Sequence, residues 1–213
     1  MKLYGYFHSS AAYRVRIALN LKGLTYEHVG VHLLNNGGEQ RSDAYKALNP
    51  SALVPTLVDG DLALGQSLAI LEYLEEAYPH TLALLPQPVA DRARVRAFAA
   101  SIACDLHPLN NLRVLGYLSQ QLAVSAEQKS AWYAHWVQQG FSALEAQLSG
   151  SDSPFCFGDT PSFADCCLIP QLYNAKRFNL DLSAYPTLMR IDQHCHTLDA
   201  FQQAAPEHQP DAV

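Results

Sequence analysis

Residues 54–64 read VPTLVDGDLAL, two short apolar runs on either side of Asp59-Gly60. An Asp-Gly pair between such runs is the strongest short-range signal for a β-hairpin, because a tight reversal needs residues that tolerate positive φ. Upstream lie an apolar and aromatic run at residues 2–7, a helical pattern at 11–22 ended by Gly23, and a second apolar run from Tyr26 to Leu33. The Gly37-Gly38 pair then breaks the chain, and a short helical stretch at 40–48 stops before Asn49-Pro50. After the hairpin, Gln66 to Tyr78 carries Leu68, Leu71 and Leu74 on one helical stripe and ends before Pro79. The order is β-α-β-α-β-β-α.

Downstream the pattern changes. Pro79, Pro86 and Pro88 punctuate a stretch with little periodicity, which suits an interdomain linker. Beyond it the spacing predicts only helices, at 89–120, 127–148, 162–177 and 187–202. Ser162 and Asp165 in TPSFADCCL stand three apart at the last-but-one helix start, the spacing of a capping box. The expected domains are therefore α/β over residues 1–80, a linker at 81–87 and an all-helical domain over 88–213.

The composition excludes several function classes. A net charge of −6 gives no basic field for nucleic acid. No apolar run is long enough to span a membrane, and the N-terminal MKLYGYFHSS lacks the pattern of a signal peptide, so a cytoplasmic protein is expected. The five cysteines, Cys104, Cys156, Cys166, Cys167 and Cys195, have no zinc spacing, so no metal is expected and they read as reduced core thiols.

Three junctions in the α/β half carry groups able to hold an anionic peptide. Ser9 and Ser10 open the first helix, where free N–H groups and positive potential favour an anion and where a hydroxyl can donate to a thiolate. The same serines also read simply as helix caps. Val54-Pro55 marks a strand start, and a cis bond there would leave the Val54 backbone free to pair with a peptide-like ligand. Gln66-Ser67 opens a further helix, again as a cap or as a carboxylate site. A serine hydrolase is not indicated, since no G-x-S-x-G elbow is present. Arg14 and Arg16 sit in an aliphatic helix, where a structural role paired with acids inside the fold is expected over an active one.

The segments SSAAYRVRIAL (9–19), ALNPSALVPTL (47–57), QSLAILEYLEE (66–76) and FADCCLIPQLYNAKRF (163–178) resemble the zeta-class glutathione transferases. The likeness continues to EHQPDA at 207–212. It implies a thioredoxin-like N-terminal domain, an all-α C-terminal domain, a homodimer and glutathione as cofactor. The implied reaction is cis–trans isomerisation of a maleyl-conjugated dicarboxylic keto acid, maleylpyruvate foremost. Maleylacetoacetate, detoxifying conjugation and a non-enzymatic binding or scaffold role are the alternatives. Carried over by position, Ser9 stabilises the glutathione thiolate, with Ser10 and Ala11 at the same helix mouth. Val54 pairs with the cysteinyl backbone, and Gln66 and Ser67 hold the γ-glutamyl carboxylate. Gln40, His107 and Asn111, with Arg113 nearby, complete the glutathione contacts. Arg177, His8 and Arg113 are the substrate-carboxylate candidates, and Ser9, Ser10 and Arg177 the catalytic ones. Two positions depart from the family pattern, Ala11 standing where cysteine is frequent and His8 where arginine is.

Overall fold

The computed structural model describes residues 1–212, and by compactness they form two units. The first comprises Met1–Pro86 and the segment that begins at Cys195; the second is Gln87–His194.

The first unit is built on a four-stranded sheet in the order β2-β1-β3-β4, from β1 (Lys2–Gly5), β2 (Glu27–Gly30), β3 (Thr56–Asp59) and β4 (Leu62–Gly65). β1 and β2 are parallel and joined by helix α1 (Ser10–Leu21); β3 runs antiparallel to β1 and to β4. The hairpin falls where Asp59-Gly60 predicts it, with Gly60 at φ +58° and Asp59 opposite Leu62. The expected strand and helix ends shorten by a few residues, and 40–48 divides into a 3-10 turn (Glu39–Arg41) and helix α2 (Asp43–Leu48). Helix α3 (Ser67–Ala77) buries Ile70, Leu71 and Leu74, while Leu68 is only half-buried. Helix α1 is buried from Ala12 through Leu19, which takes Arg14 and Arg16 inside with it.

Two features give this unit different limits from the expected 1–80. Buried Lys22 pairs with Glu75 at 2.9 Å and also donates to Thr81 Oγ1 and the Leu82 carbonyl. Glu75 in turn accepts the N–H groups of Leu84 and Leu85, so the expected linker is fastened to the first unit. At the other end, the helix expected at 187–202 divides into α8 (Pro186–Cys195) and α9 (Asp199–Ala204), interrupted by extended Leu198. Helix α9 packs on α1, where Asn20 donates to the Ala200 carbonyl.

The second unit is helical: α4 (Val89–Ala100), α5 (Leu112–Gln120), α6 (Ala126–Leu148) and α7 (Phe163–Arg177), with α8 closing it. The single helix expected at 89–120 does not form. It passes into a π-helical turn at Ser101–Leu106, then a 3-10 turn at His107–Asn110, and restarts after extended Asn111. Pro108 lacks the N–H that a continuing helix needs. Gly140 on α6 lets the π turn come close, since a Cβ there would meet Leu106 Cδ2 at 2.9 Å. The Ser162–Asp165 capping box is present, with Asp165 fully buried. Cys156, Cys166, Cys167 and Cys195 are buried and in no disulfide, but Cys104 is exposed on the π turn, because that turn's core positions are Ile102 and Leu106.

Candidate active site

The sheet register gathers four junctions at one end of the first unit. Tyr4 pairs with Thr56, Thr56 with Gly65, and Gly5 with Gly30. The turn after β1, the segment after β2, the approach to β3 and the exit from β4 all leave the ladder at that end. They carry Ser9, Gln40, Val54 and Gln66-Ser67 respectively. Loops at strand ends hold backbone groups that the ladder has not consumed, which makes them natural ligand sites.

Ser9 is the N-cap of α1, and its Oγ accepts the Ala12 N–H at 3.2 Å. An oxygen that accepts there still carries its own proton, so capping and donation to an anion are compatible. The first turn of α1 contains no acidic residue to neutralise its positive end. Ser10 is only 3% exposed, whereas Ser9 and Ala11 are half-buried, which makes Ser9 the accessible hydroxyl. His8 is half-buried, its ring 4.0 Å from that of Phe7.

The Val54–Pro55 peptide is cis, and the β3 ladder begins only at Thr56. A polar cluster that the sequence did not reveal holds this loop. Tyr45 donates to the Leu53 carbonyl at 2.8 Å, Asn49 Nδ2 donates to the same carbonyl at 2.9 Å, and both side chains meet buried Thr56 Oγ1. The signal was present in the polar residues of YKALNPSALVPT, but nothing local says that they converge.

Gln66 adopts φ +67°, an unusual conformation for a non-glycine residue and one that clusters at ligand sites. It delivers Ser67 to the first position of α3, 6% exposed, with Oγ accepting from Arg14 Nη1 at 3.1 Å. Gln40 is 8% exposed; its Nε2 donates to the Leu33 carbonyl at 3.4 Å, and its Oε1 is buried without a hydrogen-bond partner among the described residues. Arg16 gives its Nε–H to the Ala204 carbonyl and an Nη2–H to the Phe7 carbonyl. Both of these bonds go to backbone oxygens.

The remaining candidates lie in the second unit. His107 opens the 3-10 turn, half-buried. Asn111 caps α5, its Oδ1 accepting the Arg113 N–H at 2.9 Å, and Arg113 is exposed. Arg177 ends α7, exposed, its guanidinium over the Phe178 ring at 5.1 Å. Phe178 stacks on Tyr133 at 4.1 Å. Burial pushes the Tyr133 hydroxyl well above the usual tyrosine range, with Arg177 acting against it. Lys176 instead pairs with Asp192, so the two adjacent cations point to different duties. Among the described residues no cluster of His, Cys, Asp or Glu could hold a metal ion, and no helix is long and apolar enough to cross a membrane.

The family model for the glutathione S-transferase N-terminal domain matches residues 3–82, and that for the C-terminal domain matches residues 130–206. A Vibrio cholerae protein named probable maleylacetoacetate isomerase is 54% identical over 99% of this chain and 97% of its own length. A solved holo maleylpyruvate isomerase, described as a bacterial zeta-class glutathione S-transferase, superposes with TM-score 0.96 and 48% identity over all of both chains. The Methylobacterium extorquens AM1 maleylacetoacetate isomerase, solved with bound malonate and glutathione, gives TM-score 0.95 and 42% identity over the full length of both.

Proposed function

The chain belongs to the zeta class of the glutathione S-transferase family, with a thioredoxin-like unit and a helical one, and on that premise we propose that it is a glutathione-dependent cis–trans isomerase acting on maleylpyruvate. The observation that carries this reading is the full-length likeness to a solved maleylpyruvate isomerase at TM-score 0.96. The 54% identity to a protein named probable maleylacetoacetate isomerase favours maleylacetoacetate as the second reading.

The end of the sheet suits glutathione. It offers two hydroxyl donors, a helix N-terminus with no acidic residue in its first turn and, at Gln40 Oε1, a buried acceptor without a partner among the described residues. When bound, glutathione supplies the thiolate that adds to the cis alkene and departs after bond rotation, so it is returned unchanged. Ser9 donates to that sulfur, with the Ser10 and Ala11 backbone at the same helix mouth. A charge-assisted bond contributes about 1.5–3 kcal/mol, enough to draw a thiol pKa of about 8.5 down by roughly one to two. Val54 offers its backbone to the cysteinyl unit, and Gln66 and Ser67 take the γ-glutamyl carboxylate. His107, Asn111 and Arg113 are the further glutathione contacts. Arg177, with His8 and Arg113, holds substrate carboxylates and stabilises the enolate charge. The reading includes a homodimer in the cytoplasm, which light scattering and cell fractionation check.

The deciding experiment offers maleylpyruvate and maleylacetoacetate with glutathione, following ultraviolet absorbance and total thiol together. Isomerisation changes the absorbance and leaves the thiol count constant, with maleylpyruvate turned over faster. Thiol loss in step with substrate would make the protein a conjugating transferase, and no turnover would make it a binding module.

A further inference from the structure

The turn that delivers Ser9 is held from outside by the far end of the chain. Asp211 follows α9 in the first unit, and its Oδ2 accepts the Phe7 N–H at 3.0 Å. Its other oxygen lies 2.8 Å from His28 Nε2 on β2, with the His28 side chain 6% exposed. The Phe7 carbonyl is held as well, by Arg16 Nη2 at 3.0 Å, and Arg16 Nε is fixed on the Ala204 carbonyl at 2.8 Å. Both polar groups of the Phe7 backbone are thus tied through residues at or beyond the end of α9. Two residues on, Ser9 N–H donates to the Tyr6 carbonyl at 2.8 Å, closing a turn around Phe7 just before Ser9 caps α1.

The fit of Asp211 is close. A Cβ at Gly30 would come within 3.1 Å of Asp211 Cβ, so a side chain at position 30 would press Asp211 away by a few tenths of an ångström. Gln209, 7% exposed, donates to the Gln203 and Ala205 carbonyls and fixes the path of the chain into Asp211.

We propose that Asp211 is a positioning residue for the reaction: by gripping the Phe7 N–H against β2, it sets the Tyr6–Ser9 turn and hence the direction of the Ser9 hydroxyl. An exposed ion pair would do little, but this carboxylate is partly buried and bonds the main chain of the turn itself. Displacing a catalytic group by about 1 Å costs on the order of a hundredfold in rate, so a small relaxation of the turn is enough to be seen. The inference rests on the reading that Ser9 stabilises the thiolate.

The test uses the full-length protein with Asp211→Ala, Asp211→Asn and Ser9→Ala. The readouts are the pH dependence of bound-thiolate absorbance, kcat, KM for glutathione, and melting temperature. Asp211→Ala should move the thiol titration to higher pH and lower kcat at neutral pH by about tenfold, with KM within about twofold. Raising the pH should restore most of the rate. Asp211→Asn, which keeps an oxygen for the Phe7 N–H but not its charge, should show a smaller shift in the same direction and decides the matter should Asp211→Ala fail to fold. A normal titration and kcat in Asp211→Asn and any folded Asp211→Ala, beside a shifted Ser9→Ala, would overturn the proposal and leave the Ser9 reading standing. A normal titration in Ser9→Ala would overturn both.

Discussion

The buried guanidinium of Arg14 donates to Ser67 Oγ at 3.1 Å, fastening α1 to the first residue of α3. Because Oγ accepts from Arg14, the Ser67 proton is left to donate to a ligand carboxylate. Ser67→Ala is therefore expected to raise KM for glutathione by about tenfold with kcat nearly unchanged, the pattern of lost uniform binding. Removing an acceptor from a buried arginine should also cost about 1–2 kcal/mol of stability. Calorimetric titration with glutathione and a urea melt check the two effects; unchanged affinity removes Ser67 from the carboxylate site.

Arg177 lies over the Phe178 ring, which stacks on Tyr133, so its guanidinium is steered, with no acid paired to it among the described residues. Arg177→Ala should lower kcat/KM for the dicarboxylate by at least about tenfold while KM for glutathione stays constant. Arg177→Lys should recover part of the loss, because an ammonium keeps the charge and not the planar fork. Steady-state kinetics with an uncharged electrophile as control check this. Equal losses on both substrates would assign Arg177 to the fold.

Asp165 accepts the Cys156 N–H at 2.8 Å, the Ser162 N–H at 2.8 Å and the Ser162 hydroxyl at 2.9 Å. Burial pushes its carboxyl above the ordinary range, although these donors and the Cys156 thiol favour the ionised form. Asp165→Ala strands those donors and should cost about 3 kcal/mol or more, lowering Tm by roughly 6–12 °C. Asp165→Asn should fall between the two. Differential scanning calorimetry measures it.

Burial pushes the His28 imidazole below its usual value, Arg16 adding to that fall and Asp211 opposing it. The folded chain therefore takes this proton less readily than the unfolded one. Stability from His28 is complete above about pH 6.5 and declines as the pH falls through that value. The urea midpoint should drop between pH 7 and pH 5.5, and drop less in His28→Asn. Identical slopes would place the acid sensitivity elsewhere.

Much of the fold could be read because its signals are local. Asp59-Gly60 names its own hairpin, and Ser162 with Asp165 names its own cap, since each interaction closes within three residues. The helix expected at 89–120 failed for a reason only partly local. Pro108 was visible, but the π turn at Ser101–Leu106 is accommodated against Gly140, and the 3-10 turn is tied down by Trp132 donating to the Leu109 carbonyl. Ser9, Val54, Gln66 and Ser67 were legible as separate junctions, and the pairing of Tyr4 with Thr56 and of Thr56 with Gly65 brings them to one end.

The sequence by itself determined the order of elements from β1 to α3, many of the caps and turns, the family likeness and the chemical character of the candidate site. Only the tertiary structure decided that the segment from Cys195 joins the first unit, that Arg14 and Arg16 serve Ser67 and backbone carbonyls, and that Asp211 holds the turn before Ser9. The separations explain the difference: 53 residues divide Arg14 from Ser67, 188 divide Arg16 from Ala204, and 204 divide Phe7 from Asp211. Local spacing fixes which face of a helix or strand a side chain takes, but partners that far apart meet only after the sheet and α9 have packed around α1.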